Sequence, residues 1–265
     1  MMPKLRLAAL VCIAALVGPL VTGCGASSGT PAQPAASSSA VPSALGSAHS
    51  SASQTPAISA SQLLAGVQKA AAAAGSVHMS GTRTDTKSRT VSIEETGTLD
   101  GTNMHASSRY ADVVYEVLVV DGAGYVKGNK AYWVQEGKLS DEQATQIGDR
   151  WVTVDAALRD EIVRMSPRQV IQNLFSTLSA ADFEATVSRE DAAGIPAYTV
   201  SNGGKKTVVA AVDSLLPIHL STEGISLNFD RWNAVAPVGA PAADQVIDTS
   251  PSPAGSPSAA SSSAR

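Results

Sequence analysis

Cysteine is almost absent from this chain. Its two copies, Cys12 and Cys24, both lie within the first two dozen residues. The remainder of the chain therefore has no disulfide bond and no cysteine-based metal site. We expect the folded part to be stabilised by packing of a core, for which a hydrophobic content of 44% is sufficient.

Recognisable catalytic motifs are also missing. The sequence contains no H-E-x-x-H zinc motif, no Cys-rich metal motif and no phosphate-binding loop. The four histidines show no metal-ligand spacing, and we expect His78 and His105 to be solvent-facing or hydrogen-bonded strand residues. The sequence therefore predicts no catalytic residue, no metal ligand and no cofactor.

Two local patterns suggest catalysis but lack the structural context that it needs. Residues 25–29 match the G-x-S-x-G pattern of serine hydrolases. That mechanism requires a sharp turn between a strand and a helix, and no structure is predicted there. Glu94 and Glu95 are adjacent carboxylates, but neighbours on a strand point to opposite faces. Asp141 and Glu142 are typical of the acidic first turn of a helix.

Positive charge is not in excess. The chain has 19 basic and 23 acidic residues, which gives a net charge of −4. Nucleic-acid-binding domains carry a basic surface, so this composition predicts no nucleic-acid partner.

The first 23 residues have the three parts of an export signal. Lys4 and Arg6 form a positive start, residues 7–20 are apolar, and residues 21–24 end in a cysteine. A short apolar run after a basic start is typical of a signal peptide, because a membrane-spanning helix needs about 20 apolar residues. The alternative is an uncleaved membrane anchor with an incidental cysteine.

The sequence Val21-Thr22-Gly23-Cys24 resembles the lipobox of bacterial lipoproteins. The resemblance implies that cleavage leaves Cys24 as the new N-terminus and that its thiol carries a diacylglyceryl group. Burial of acyl chains contributes about 0.8 kcal/mol per CH₂, so two chains anchor a protein stably. We therefore predict a lipid-anchored protein on the extracytoplasmic face of the cell membrane.

Charged side chains are absent from residues 25–57, where Ser, Ala, Pro, Gly and Thr dominate. Such a segment cannot bury enough apolar surface to offset the entropy lost on ordering. Residues 24–57 are therefore predicted to be a flexible tether with a reach of roughly 30 Å. The same composition predicts a disordered tail at 249–265, so we expect the folded domain at 58–248.

The predicted domain alternates between helices and groups of strands. Ser59 and Gln62 form a capping box that predicts a helix ending near Gly75, and Ser166-Pro167 predicts the start of a second helix. Short connections favour antiparallel pairing and hence an α+β fold. The strand patterns lie at 76–81, 91–94, 103–110, 113–120, 125–127, 131–135, 151–154, 183–189, 195–202, 205–212, 217–222 and 225–230.

Short motifs follow the lipobox and the tether in a definite order. They are Ser76-Val77-His78, residues 124–128 with Tyr132-Trp133, Arg150-Trp151-Val152, residues 229–233, Pro241 and residues 244–248. Their order resembles the LolA-like fold, in particular the actinobacterial lipid-binding lipoproteins of the LppX and LprG group. The resemblance implies an antiparallel open (half) β-barrel wrapped around helices, which holds acyl chains and has no catalytic residues.

One departure from that family is the scarcity of large apolar side chains, since phenylalanine occurs only three times. Small inward-facing residues can enlarge a cavity or simply reflect an Ala-rich composition, and both readings stay open. The three tryptophans and the tyrosines can bind a sugar or flank a lipid portal, or can pack at strand edges.

Three functions fit these observations. The first is a non-enzymatic carrier of a lipid or glycolipid, which needs a dry apolar cavity. The second is a sensor or envelope protein-interaction module with the same fold and no ligand cavity. The third is an unrecognised hydrolase, which needs a polar cleft with converging histidines and carboxylates. The candidate cavity-lining residues, each of which can equally be ordinary core, are Met79, Ile93, Leu118, Phe175, Leu220 and Leu227.

Overall fold

The computed structural model describes residues 58–184 and 186–249. The predicted signal peptide, the lipid attachment site Cys24, the tether and the tail from residue 250 onward lie outside these residues. Among the helices of the described ranges, none is both long enough and apolar enough to cross a membrane.

A single sheet organises the described region. Its strands are β1 (Ser76–Thr84), β2 (Thr90–Thr98), β3 (Met104–Tyr110), β4 (Val113–Val120), β5 (Ala123–Gly128), β6 (Trp151–Val154), β7 (Ser188–Ala192), β8 (Ile195–Asn202), β9 (Lys206–Ala211), β10 (Pro217–Thr222), β11 (Ile225–Asp230) and β12 (Val246–Ile247). The spatial order is β12-β6-β5-β4-β3-β2-β1-β11-β10-β9-β8-β7. All pairs are antiparallel except β12 with β6. The sheet thus consists of two meanders that meet where β1 pairs with β11.

The helices are short, and four of the five begin at a side-chain cap. They are α1 (Ala60–Ala73), α2 (Lys130–Gln135), α3 (Asp141–Ile147), α4 (Ala156–Val163) and α5 (Pro167–Ser176). The predicted capping box is present at α1, where the Ser59 hydroxyl accepts from the Gln62 amide at 3.2 Å. These caps satisfy amides that a helix leaves unpaired and so fix where four of the helices start. Helix α5 has no side-chain cap and instead carries Pro167 at its first position.

The helices bury their apolar side chains in two hydrophobic clusters against one face of the sheet, which we call the inner face. Helices α1 and α5 share the first cluster with β1 and β8 to β11. Helices α2, α3 and α4 share the second cluster with β2 to β6. The α+β class and the open, mostly antiparallel sheet are therefore confirmed.

The segment after β11 ties distant strands together. The Asn233 amide donates to the Ser76 carbonyl at 2.9 Å, next to the start of β1. Val238 and Asn103 exchange two hydrogen bonds, each of 2.9 Å, just before β3. The segment then ends as β12 beside β6. These contacts connect the β1 region of the sheet to its β6 edge.

Two of the predicted strands are wrong. Residues 131–135 form most of helix α2, because the Asn129 side chain accepts from the Tyr132 amide at 2.9 Å and caps a helix instead of turning a hairpin. Residues 183–189 contribute only their last two positions to β7. Before them, Ser179 and Asp182 form a capping box around a short 3-10 turn.

One α-helix and one strand lie where the sequence predicted neither. Helix α4 begins after Asp155, whose carboxylate accepts from the Leu158 amide at 2.9 Å, and buries Leu158 and Ile162 one turn apart. Strand β12 has only two residues and runs parallel to β6, so neither its length nor its direction follows a hairpin pattern.

Candidate functional site

A small apolar cavity of about 50 Å³ lies on the inner face. Its wall includes residues of both hydrophobic clusters, so it marks the place where the two clusters meet. Strands β1 to β4 and β11 supply one side, and helices α4 and α5 with their connection supply the other. The main wall residues are Met79, Arg83, Ile93, Glu95, Met104, Ala106, Ser108, Val117, Ile162, Met165, Val170, Ile225 and Leu227.

Methionine is concentrated around this cavity. The chain has five methionines, and the three beyond the first two residues, Met79, Met104 and Met165, all lie in the cavity wall. Methionine is unbranched and adopts many conformations, so it tolerates changes in the shape of whatever it contacts. Ile93 and Ile225, which are half-buried, complete the lining. Because of its methionines, this lining can rearrange more readily than one made only of branched side chains.

Glu95 is the unusual residue of the cavity. Strand alternation turns it toward the inner face, opposite Met79 on β1 and Ala106 on β3. Its side chain is buried, and Oε1 has no hydrogen-bond partner within the described residues. Burial in this apolar setting raises the pKa of Glu95 to about 8 through desolvation. The carboxyl group is therefore mainly neutral at pH 7.

Glu94, the neighbour of Glu95, faces the opposite side of the sheet, as predicted. There the His78 ring lies between two carboxylates, with Nδ1 at 2.8 Å from Asp230 and Nε2 at 3.2 Å from Glu94. His105 Nε2 lies 2.8 Å from Glu116. Both histidines are thus hydrogen-bonded strand residues. No group of three potential metal ligands occurs in the part of the chain that the structure describes.

The six predicted lining residues divide into four groups. Met79, Ile93 and Leu227 lie together in the cavity wall. Leu220 is fully buried in the first cluster, away from the cavity. Phe175 is buried in the same cluster and reaches a separate groove between helices.

Leu118 is the exception among these six residues, because it faces away from the cavity. Its neighbours Val117 and Val119 belong to the inner-face cluster, so alternation along β4 turns Leu118 to the other face. Its cross-strand partners are His105 and Tyr125. Strand β4 is buried on both faces, and its apolar run therefore gave no indication of which side chains point inward.

A second concave surface lies between α1 and α5 and has a volume of about 300 Å³. Hydrogen bonds across it join the two helices: Gln68 donates to the Phe175 carbonyl at 3.1 Å, and Arg168 donates to the Ala72 carbonyl at 2.9 Å. We call it the helix groove. It is lined by Gln68, Ala71, Ala72, Arg168, Ile171, Gln172, Phe175 and Ser176.

The tryptophans occupy three separate environments. Trp133 is fully buried in the second cluster and contacts Tyr132 edge-on. Trp232 stacks near Phe229, and its indole donates to a backbone carbonyl at 2.8 Å. Trp151 lies at the start of β6 with a lysine ammonium 5.7 Å from its ring. Each ring therefore has a packing partner of its own.

Two solved structures show a remote likeness to this chain. No protein-family model matches the chain, and no curated protein sequence matches it. A solved structure of LprF from Mycobacterium bovis is similar over 69% of this chain and 97% of that one, with 14% identity and a TM-score of 0.40. The MucA/MucB complex of Pseudomonas aeruginosa is similar over 70% of this chain and 59% of that one, with 17% identity and a TM-score of 0.26.

At these scores neither match says what the chain binds.

Proposed function

We propose that this chain is a non-enzymatic, membrane-anchored lipoprotein that binds the acyl chain of a lipid or glycolipid on the inner face of its sheet. In this proposal the open sheet curls as a half-barrel around the helices, as the resemblance implied. The diacylglyceryl group on Cys24 holds the protein at the extracytoplasmic face of the cell membrane, within reach of its ligand.

The observation that carries the proposal is the composition of the cavity wall. All three methionines beyond the N-terminus line one apolar cavity, together with the predicted residues Ile93 and Leu227. Deformable methionine-rich surfaces are typical of sites that accept flexible apolar ligands.

The cavity must widen to receive an acyl chain. Its volume of about 50 Å³ is well below the roughly 300 Å³ at which ligand pockets begin. The connection between α4 and α5 is the element best suited to move, because Met165 in it is half-buried and contributes to the cavity wall. A shift of this connection widens the cavity without breaking any pair of strands.

A second candidate is a module that binds an envelope protein. The helix groove supports it, since its volume of about 300 Å³ is already large enough for an apolar side chain of a partner. In this alternative the cavity on the inner face stays closed and Met79, Met104 and Met165 serve only as core.

Native mass spectrometry distinguishes the two candidates. The chain from residue 24 onward, with Cys24→Ser to prevent covalent lipidation, is incubated with lipid vesicles and measured without detergent. The carrier predicts an added mass that organic extraction removes and identifies as an acyl lipid. A clean protein mass after the same incubation contradicts the carrier and favours the interaction module.

Two matched variants test whether the lipid occupies the cavity. Ala106→Leu fills the cavity from β3 and is expected to abolish the added mass, because Ala106 lies in the wall. Ser92→Leu adds the same side chain at an exposed position of β2 and is expected to retain the lipid. Equal lipid loading of both variants places the ligand elsewhere.

A further inference from the structure

The cavity contains one polar atom that the described protein leaves unsatisfied. Four buried side-chain polar atoms lack a hydrogen-bond partner within residues 58–184 and 186–249, and only Glu95 Oε1 belongs to a residue of the cavity wall. Buried polar groups in folded proteins are almost always hydrogen-bonded, so an exception in a concave apolar site needs an explanation.

We propose that Glu95 determines ligand specificity and selects an acyl chain that carries a hydroxyl group. This inference rests on the proposed function and adds the chemical class of the ligand to it. The ligand hydroxyl hydrogen-bonds to the Glu95 carboxyl group inside the cavity, while the rest of the chain contacts the methionines.

A hydroxyl group fits this site for a specific chemical reason. Burial raises the pKa of Glu95 to about 8, so at neutral pH the carboxyl has one O–H donor and one carbonyl acceptor. A hydroxyl both donates and accepts, and therefore satisfies Oε1 whichever carboxyl oxygen carries the proton. A ketone or ester carbonyl only accepts, so it serves one of the two arrangements.

The apolar wall of the cavity also argues against a cationic ligand. A ligand ammonium group would lose its hydration on entry, and the neutral carboxyl group of Glu95 would offer it no opposite charge in return. A neutral hydroxyl has a much smaller desolvation cost.

The position of Glu95 places the recognised group away from the half-buried part of the wall. Glu95 lies two residues beyond Ile93 on β2, about 7 Å further along the strand. Its cross-strand partner Met79 is fully buried, whereas Ile93 is only half-buried. The hydroxyl is therefore expected within the acyl chain and not only at its polar end.

Binding of stearate and of positional isomers of hydroxystearate tests this inference. Affinities are measured by calorimetry at pH 7 with the chain from residue 24 onward carrying Cys24→Ser. At least one isomer is expected to bind about tenfold more tightly than stearate, the discrimination typical of one buried hydrogen bond.

Two variants at the same position complete the test. Glu95→Leu removes both hydrogen-bonding atoms and is expected to bind stearate at least as tightly as every hydroxystearate. Glu95→Gln keeps a donor and an acceptor and is expected to retain a preference for the hydroxyl. Together the two variants show whether the preference for the hydroxyl group arises from a hydrogen bond to residue 95 or from the shape of the cavity.

Each outcome has a distinct meaning. If stearate and all isomers bind the unaltered chain equally tightly, the hydroxyl selection is wrong while lipid binding stands; an internal water that already satisfies Glu95 gives this result. Selection that persists in Glu95→Leu also overturns the role of Glu95. If no fatty acid binds, the proposed function fails and the inference fails with it.

Discussion

The stability of this protein is expected to depend on pH through one buried carboxyl group. Glu95 has its pKa raised from 4.5 to about 8 by desolvation. Between these two values the unfolded chain releases a proton that the folded chain retains. Raising the pH therefore favours the unfolded state, and the stability that is present below pH 4.5 is lost as the pH rises through 8.

The size of the effect follows from the separation of the two pKa values. Each tenfold change in ionisation corresponds to about 1.4 kcal/mol. Between pH 5 and pH 7 the free energy of unfolding is expected to fall by about 2–3 kcal/mol, and between pH 5 and pH 9 by about 4 kcal/mol. Above pH 9 the folded carboxyl is ionised as well, and the contribution becomes constant.

Glu95→Gln isolates this contribution, because glutamine has a similar shape and no charge. Urea unfolding at pH 5, 7 and 9 is expected to give similar stabilities for the two chains at pH 5. At pH 9 the variant is expected to be more stable by about 4 kcal/mol. Glu94→Gln, on the exposed face of the same strand, serves as the matched control. A Glu95→Gln profile that falls as steeply as the unaltered one refutes the assignment of a buried neutral carboxyl.

Three further changes test the packing around the site by urea unfolding. Gly81→Ala is expected to cost about 1–3 kcal/mol, because its Cβ would lie 2.0 Å from the Ser226 carbonyl oxygen; Gly239→Ala, with open space around it, should cost almost nothing. Ser59→Ala removes the cap of α1 and is expected to cost about 1 kcal/mol. Asn129→Ala should cost about 2 kcal/mol, because it removes the cap of α2 together with a hydrogen bond to the Asp112 carbonyl. Unchanged midpoints for Gly81→Ala or Asn129→Ala contradict these contacts.

Local chemistry explains which elements of the fold were predictable. Seven of the strands were predicted to within one residue at each end, and five of them, β4, β6, β8, β10 and β11, were predicted without error. At the Asp121-Gly122 turn both residues have positive φ, which matches the tight hairpin that this dipeptide predicts. The start of α1 was equally clear, because Ser59 and Gln62 are neighbours in sequence as well as in space.

Prediction failed where two local signals competed. The composition of residues 131–135 favours a strand, but the side chain of Asn129 caps a helix that contains them. In addition, the apolar run of β4 is buried on both faces, so periodicity gave no indication that Leu118 faces away from the cavity.

The cavity could be predicted only in part. Met79, Ile93 and Leu227, three of the six predicted residues, lie in the wall, and each alternates with polar residues on a predicted strand. Met104 and Met165 were missed, although the rarity of methionine beyond the N-terminus was a signal in the sequence. Glu95 was correctly separated from Glu94, but nothing in the sequence indicated that the face it occupies would be covered by helices.

The sequence by itself determined the local features of this protein: the capped starts of its helices, the alternation of its strands, the absence of cysteine from its folded part and the predicted lipid anchor. Each depends on residues within a few positions of one another. Tertiary structure alone decided that β1 pairs with β11, that three distant methionines share one wall, and that Glu95 Oε1 is buried with no hydrogen-bond partner among the described residues. These depend on which face of the sheet the helices cover, a choice made by the burial of apolar surface from the whole domain.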